Sequence, residues 1–287
     1  MPARILIVDG VPKANQDLLV AQGGRRQGDN YALALASQAA AIGGIEPVIM
    51  AAAENGDLPP GLTLSDIDGV AWTGSPMNIY NDSPVIRRMI AFARAAFEAG
   101  IPCFGSCWGL QVMMVALGGR VQKNPRGPQL GFARAIQLTD AGRAHPMFRA
   151  KPLVFDAICV HQDEVCEVPD GVRVLAGNRQ CDIQAVAVRD GHRSFWGVQY
   201  HPEFDLFQIA AMWRRSAQRY VDRGLVRTIE EMYGIAADLK ALHDDPGRKD
   251  VAWKYGITQD IVDADRHRIE LANWLNCEVA PRATARC

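Results

Sequence analysis

Residues 101–119 read IPCFGSCWGLQVMMVALGG. IPCFGS is a short apolar, strand-like run, and GLQVMMVALGG is a helix-like run that ends in two glycines. Between them lies Gly105-Ser106-Cys107-Trp108-Gly109, a cysteine flanked by small residues where a strand must turn sharply into a helix. A nucleophile on such a turn is lifted out of the sheet, and the glycines let the backbone bend and a substrate approach. This is the logic of the G-x-S-x-G elbow with sulfur in place of oxygen. The N-terminus of the following helix favours a thiolate and, later, an oxyanion. A lone GxCxG is more often a turn around a buried cysteine, so its meaning depends on whether a base exists elsewhere. Cys103, on the strand itself, is expected in the core.

Outward from this turn the chain alternates strand and helix. RILIVD (4–9), EPVIMAA (46–52), DGVAWTGS (68–75) and IPCFGS (101–106) read as strands. YALALASQAAAIGG (31–44) and SPVIRRMIAFARAAFEAG (83–100) read as helices, the second with a serine cap and a proline at its first position. This alternation implies crossover connections and a mainly parallel central sheet flanked by helices, an α/β layer structure. Five further strand-like runs follow between about 130 and 200, and DLFQIAAMWRRSAQRYVDRG (205–224) reads as one helix. Residues 10–30 read as an extended loop after the first strand. Residues 1–224 form the expected catalytic domain, and residues 225–287 form a charged, helical C-terminal extension. In that extension TQDIVDADRHRIELANWLN reads as one helix capped by Thr258, with Asp260 in its first turn. Its apolar residues Ile257, Ile261, Leu271, Trp274 and Leu275 need a partner, either the main domain or a second subunit. Trp72, on the third strand, is expected in the core.

The base comes from FWGVQYHPEFD (195–205). An apolar and aromatic strand ends in His201-Pro202-Glu203, where proline stops the strand. Residues two apart at a strand end share a face, so Glu203 can hold one imidazole nitrogen and turn the other toward the thiol. That is the nucleophile–base–orienter arrangement of covalent catalysis. Strands of a parallel sheet converge at their carboxyl ends, so wide separation in sequence is no obstacle. No second histidine stands at ligand spacing, and no metal or other cofactor is expected.

Composition narrows the partners. The formal net charge over 287 residues is −1, which supplies no basic field for nucleic acid or an anionic membrane surface. No apolar run has membrane-spanning length, and no signal peptide is evident, so a cytoplasmic protein is expected. The seven cysteines (Cys103, Cys107, Cys159, Cys166, Cys181, Cys277 and Cys287) are irregularly spaced. This excludes a disulfide framework and leaves most of them as small buried side chains.

Cys107 in GSCWGLQ together with His201 and Glu203 in YHPEF resembles the class I (triad-type) glutamine amidotransferases, whose sheet has flavodoxin-like layers. The likeness is strongest to the glutaminase domain of GMP synthase and its stand-alone relatives. VAWTGSPMNIYND resembles the family's oxyanion loop, ALGGRVQKNPRGPQLGF the segment after the nucleophile helix, and VHQDEVCEVP a further segment of this branch. The resemblance covers about residues 4–222. It implies that Cys107 attacks a γ-glutamyl carbonyl, that His201 moves the proton, and that Glu203 orients His201. It also implies that Gly74, Ser75 and Trp108 surround the oxyanion, with N–H groups of Ser75 and Trp108 donating. Gln111 is implied to touch the glutamyl group, with His161 and Asp163 at its α-amino and α-carboxylate ends. Bulky Trp108, the 10–30 loop and the C-terminal helices are expected to wall the amine side. No ATP-binding phosphate loop is present. Three functions stay open: a hydrolase of γ-glutamyl amides acting on a small molecule, a glutaminase subunit feeding ammonia to a separate synthetase, and a non-catalytic binding protein. A homodimer through the C-terminal helices also stays open.

Overall fold

The computed structural model describes residues 2–286; Cys287, one of the cysteines considered above, lies outside the described residues. The strands are β1 (Ala3–Asp9), β2 (Ile45–Ala51), β3 (Gly69–Trp72), β4 (Cys103–Ser106), β5 (Arg120–Lys123), β6 (Gln129–Leu138), β7 (Val154–His161), β8 (Asp163–Glu167), β9 (Arg173–Gly177), β10 (Ala185–Asp190) and β11 (Arg193–Val198). Nine of them make one sheet in the order β2-β1-β3-β4-β11-β10-β9-β6-β7. From β2 to β11 every pairing is parallel, and from β11 to β7 every pairing is antiparallel. The parallel half is the expected α/β sheet. Its central strands are apolar on both faces because helices cover both: β3 and β4 are buried at every residue.

The helices that matter for the site begin with α1 (Lys13–Ala21), α2 (Gln27–Ser37), α3 (Pro84–Glu98) and α4 (Trp108–Ala116). Ser83 caps α3 as the sequence suggests, its hydroxyl accepting the Ile86 N–H at 3.2 Å with Pro84 at the first helical position. Residues 10–30 are not an open loop. They contain α1 and the start of α2, ordered by Asp9 at the end of β1. That buried carboxylate accepts from the Val11 N–H (3.0 Å), the Gly28 N–H (2.8 Å) and the Gln16 side-chain amide (2.6 Å). α2 ends at Ser37, whose hydroxyl bonds back to the Ala34 carbonyl at 2.7 Å. The expected single helix over 31–44 is therefore α2 plus a short 3₁₀ turn, Ala40–Ile42.

The sequence reading missed β5 and β8, which pair with each other outside the main sheet. It also fused two helices over 205–224. After α5 (Asp140–Ala144), α6 (Leu206–Arg215) and α7 (Ala217–Asp222) are separated at Ser216, whose backbone leaves helical geometry (φ −105°, ψ 12°). The expected helix over 258–276 is likewise broken. Asp263 takes an extended backbone, and its carboxylate caps the N–H groups of Asp265 (3.0 Å) and Arg266 (3.3 Å). Thr258 is an N-cap by position only; its side chain makes no cap hydrogen bond.

The apolar residues of the C-terminal segment are buried within this chain. Leu271, Trp274 and Leu275 enter the core beneath β1 and β4, while Ile257 and Ile261 join a cluster with α6. These five side chains are therefore covered by the chain itself. Trp274 stacks at a tilt on Phe104 of β4 with ring centres 5.8 Å apart, and a Cβ at Gly69 would come within 2.9 Å of its ring. Polar contacts fasten the same segment to the main sheet. Glu270 pairs with Lys151 at 3.0 Å, both fully sequestered, and accepts the Tyr200 hydroxyl at 2.6 Å. The His267 imidazole bonds the Phe204 carbonyl. Tyr200 and Phe204 bracket the His201-Pro202-Glu203 segment. Among the described residues no helix is long and apolar enough to cross a membrane.

Removing Glu270 leaves the Lys151 ammonium buried without its carboxylate, which costs about 3–5 kcal/mol. Glu270→Ala is therefore expected to lose about that much in urea unfolding, with Glu270→Gln, which keeps an acceptor for Tyr200, losing less. Equal stability of Glu270→Ala and the unaltered chain would contradict this bracing.

Candidate active site

β4 and β11 are adjacent and parallel, with Gly105 opposite Gly197 and Ser106 opposite Val198. Both strands therefore run out at the same edge of the sheet, one into Cys107 and the other into His201. Cys107 turns the chain with φ 52° and ψ −103°, and its N–H donates to the Val198 carbonyl at 2.7 Å. Positive φ in a residue with a Cβ costs about 1–3 kcal/mol, and here the two flanking glycines make the turn possible by close approach. A Cβ at Gly105 would meet the Gly109 carbonyl carbon at 2.5 Å, and a Cβ at Gly109 would meet the Trp72 Cβ at 2.4 Å. The helix starting at Trp108 thus lies directly on the strands, and no side chain fits between.

His201 and Glu203 are buried, and Nδ1 of the imidazole meets Oε1 of the carboxylate at 2.6 Å. The ring stacks flat on Phe204 at 4.0 Å, and the His201 N–H donates to the Ile158 carbonyl at 2.8 Å. Asn30 of α2 holds the Glu203 carbonyl at 2.7 Å. The Cys107 sulfur lies 3.7 Å from the Val160 carbonyl oxygen, and it lines the same cavity as His201, close enough to act on the imidazole. Burial alone would lower the His201 pKa. The Glu203 charge, the hydrogen bonds to Cys107 and Glu203, and the charge on Cys107 overcome it and raise the pKa to about 10. The direction of that shift favours the protonated ring at neutral pH. Its contribution to stability is complete below the unfolded value of about 6.5 and fades as pH rises through about 10.

A cavity of about 110 Å³ opens over the sulfur. Gly74, Ser75, Gln111, His161, Asp163, Cys107 and His201, all foreseen in the sequence, line it. Gly74 lies against the imidazole: a Cβ there would come within 2.8 Å of Cε1. The Thr73 hydroxyl accepts the Gly10 N–H at 3.0 Å and donates to the Gly74 carbonyl at 2.9 Å, tying the 73–77 turn to the end of β1. Glu203 is buried and does not line the cavity. The Gln111 amide nitrogen is engaged within the protein, donating to the Asp163 carbonyl and to Gln199 Oε1, each at 3.2 Å. Asp163 accepts from Asn78 at 2.6 Å and Tyr80 at 3.1 Å. His161 contacts the Asp163 carbonyl and Gln129 Oε1, each at 3.0 Å, and burial pushes its pKa down to about 4, so it is neutral at ordinary pH.

Two expectations are corrected. The Trp108 side chain does not wall the cavity. It is packed in the core with Trp72, close enough to Gly10 that a Cβ there would touch it at 3.1 Å. Only its backbone N–H, the first of α4 and outside the i→i−4 ladder, stays near the sulfur. Nor does any residue of the C-terminal extension line the cavity. Val11 and Gln27 from the 10–30 region do, together with Met77, Asn78, Met212, Arg215 and Arg219, none of which the sequence reading singled out. The arginines stood in plain view in WRRSAQR, four apart, but such spacing is the ordinary signature of a solvated helix face.

Gly74→Ala should push the imidazole off the thiol while leaving the buried core intact. A displacement of about 1 Å costs about 100-fold in rate, so labelling of Cys107 by a thiol-directed electrophile should slow by roughly that factor with an unchanged melting temperature. Labelling at the original rate would contradict the contact.

Comparison with known proteins gives a consistent picture. The class-I glutamine amidotransferase family model matches residues 29–212. The chain is 35% identical over 225 residues to a gamma-glutamyl-L-1-hydroxyisopropylamide hydrolase of Pseudomonas, covering 77% of this chain and 76% of that protein. It is 37% identical over 139 residues to the GMP synthase of Symbiobacterium thermophilum, covering 48% of this chain and 25% of that protein. The chain spans about a quarter of the length of the GMP synthases it matches. Among solved structures, a glutamine amidotransferase of Thermotoga maritima superposes with a TM-score of 0.60 at 14% identity, covering 92% of this chain and 99% of that one. One from Methylobacillus flagellatus gives 0.58 at 18%, covering 100% and 96%. At these identities the structural matches speak for the fold.

Proposed function

The chain belongs to the class-I glutamine amidotransferase family, and from that premise we propose that it hydrolyses γ-glutamyl amides to glutamate and an amine through a Cys107 thioester. The observation that carries this reading is that Cys107 and His201 line one cavity, with Glu203 holding the far side of the imidazole at 2.6 Å. The cysteine thiolate attacks the γ-carbonyl carbon, and the carbonyl electrons move to oxygen. Backbone N–H groups of Ser75 and Trp108 meet that oxyanion, the second with the N-terminal end of α4 behind it. Forming the C–S bond removes the sulfur charge that helped hold the proton on His201. The imidazolium becomes a stronger acid at the moment the amine nitrogen needs a proton. The C–N bond breaks, the amine leaves, and neutral His201 faces the thioester. It then takes a proton from an attacking water as the new C–O bond forms, the C–S bond breaks with its electrons returning to sulfur, and glutamate departs, leaving Cys107 and His201 as they began. Glu203 keeps Nδ1 occupied throughout, so the exchange runs through Nε2.

The similarity to the Pseudomonas hydrolase, which extends over three quarters of both chains, favours substituted γ-glutamyl amides over ammonia supply. The similarity to one quarter of GMP synthase favours the second reading, a glutaminase serving a separate synthetase. In either case residues 1–224 act as the catalytic domain, and His267 and Glu270 of the C-terminal extension brace its histidine segment.

A hydrolysis panel tests the proposal: glutamine, γ-glutamyl peptides, and γ-glutamyl alkyl and aryl amides, with Cys107→Ala as control. Release of glutamate from substituted amides, abolished in Cys107→Ala, is the expected result. Release from glutamine alone supports the ammonia-supply reading. No release, with no acyl-enzyme detected at Cys107 by mass spectrometry, refutes both.

A further inference from the structure

The cavity's charges are unevenly matched. Asp163 is its one carboxylate, held by Asn78 and Tyr80. Its cations are His201 at the sulfur and the guanidinium pair of Arg215, at the end of α6, and Arg219, in α7. Neighbouring arginines are engaged: Arg25 pairs with Asp205 at 3.0 Å, Arg214 donates to the Gln22 carbonyl at 2.7 Å, and Arg223 donates to Gln162 at 2.6 Å. Arg215 and Arg219 form no ion pair among the described residues. The half-buried Arg215 reaches only the Asn15 carbonyl, at 3.5 Å. Burial, and then repulsion from Arg219, pull its pKa below the ordinary arginine value. Two like charges thus face a cavity with no anion of their own.

A γ-glutamyl amide carries an ammonium and a carboxylate on its α-carbon. Asp163 suits the ammonium. His161, expected from the sequence to share the recognition of these two ends, is neutral and cannot meet a carboxylate as a cation. We propose that Arg215 and Arg219 form the carboxylate subsite of this cavity, so that the substrate is one with a carboxylate placed to reach them: the α-carboxylate of the glutamyl half, or one borne by the amine half. A guanidinium binds a carboxylate through paired charged hydrogen bonds that a lysine reproduces only as a point charge. This inference rests on the hydrolase reading for its substrate and on the cavity alone for its ligand chemistry.

The test uses the full chain carrying Arg215→Gln, Arg219→Gln or Arg215→Lys, with γ-glutamylethylamide and γ-glutamylglycine as substrates. In parallel, calorimetry on the Cys107→Ala background follows binding of L-glutamate and of 4-aminobutyrate, which lacks the α-carboxylate. Each Gln variant is expected to raise KM by about 10- to 100-fold with a smaller change in kcat, and Arg215→Lys to recover part of the loss. A loss shared by both substrates, with weaker glutamate binding and unaltered 4-aminobutyrate binding, assigns the subsite to the α-carboxylate. A loss confined to γ-glutamylglycine assigns it to the amine half. Unaltered KM in both Gln variants overturns the subsite and leaves the hydrolase standing. No turnover by the unaltered chain, with glutamate binding still lost in the variants, overturns the hydrolase and leaves the subsite standing. Absence of both turnover and carboxylate binding overturns both. Exposed Arg219 carries the test where circular dichroism finds Arg215→Gln misfolded.

Discussion

Gly197 sits opposite Gly105 and Val198 opposite Ser106 in a parallel pairing, and this register puts a sulfur and an imidazole on the same edge of the sheet. A slip of one residue would send every side chain of the shifted strand to the other face. Two features hold the register. The Cys107 N–H extends the pairing by bonding the Val198 carbonyl at 2.7 Å. Both faces are also buried: Trp196 and Phe104 lie in one apolar cluster, and Phe195 and Cys103 in another. The strained backbone at Cys107 is sustained by this surrounding order, since the elbow glycines leave the helix no room to move away.

The C-terminal segment reinforces the same edge from below. Trp274 packs on Phe104 next to the elbow, Glu270 holds Tyr200 next to the histidine, and His267 holds the Phe204 carbonyl just beyond it. The buried Lys151–Glu270 pair gains nothing by burial alone. Its significance is that a carboxylate with two fixed partners admits one position of Tyr200. A segment that contributes no cavity wall can thereby set the angle at which His201 meets the sulfur.

The parallel half of the sheet, the Cys107 turn and the His201–Glu203 contact were legible because local signals agree with the global fold there. Glycines mark the elbow, Pro202 marks the strand end, and apolar runs mark strands buried on both faces. The reading failed where a boundary is set by a tertiary contact. Nothing local to residues 10–30 announces a helix organised by the Asp9 carboxylate. The β5–β8 pair depends on partners 40 or more residues apart, and Trp108 faces the core because Gly10 leaves it room. Arg215 and Arg219 were invisible as cavity residues because what sets them apart, the lack of an ion pair among the described residues, is a property of space.

The central claim is that the His201 imidazole is shared between Glu203 and the Cys107 sulfur, and its protonation reports that directly. Nitrogen NMR of labelled His201, followed with pH in the unaltered chain and in Cys107→Ala, is the decisive measurement. The account predicts an imidazolium that persists well above neutrality, toward about pH 10, and a clear downward shift of that midpoint when the sulfur is removed. Titration near the ordinary histidine value, or identical curves in the two proteins, would contradict it.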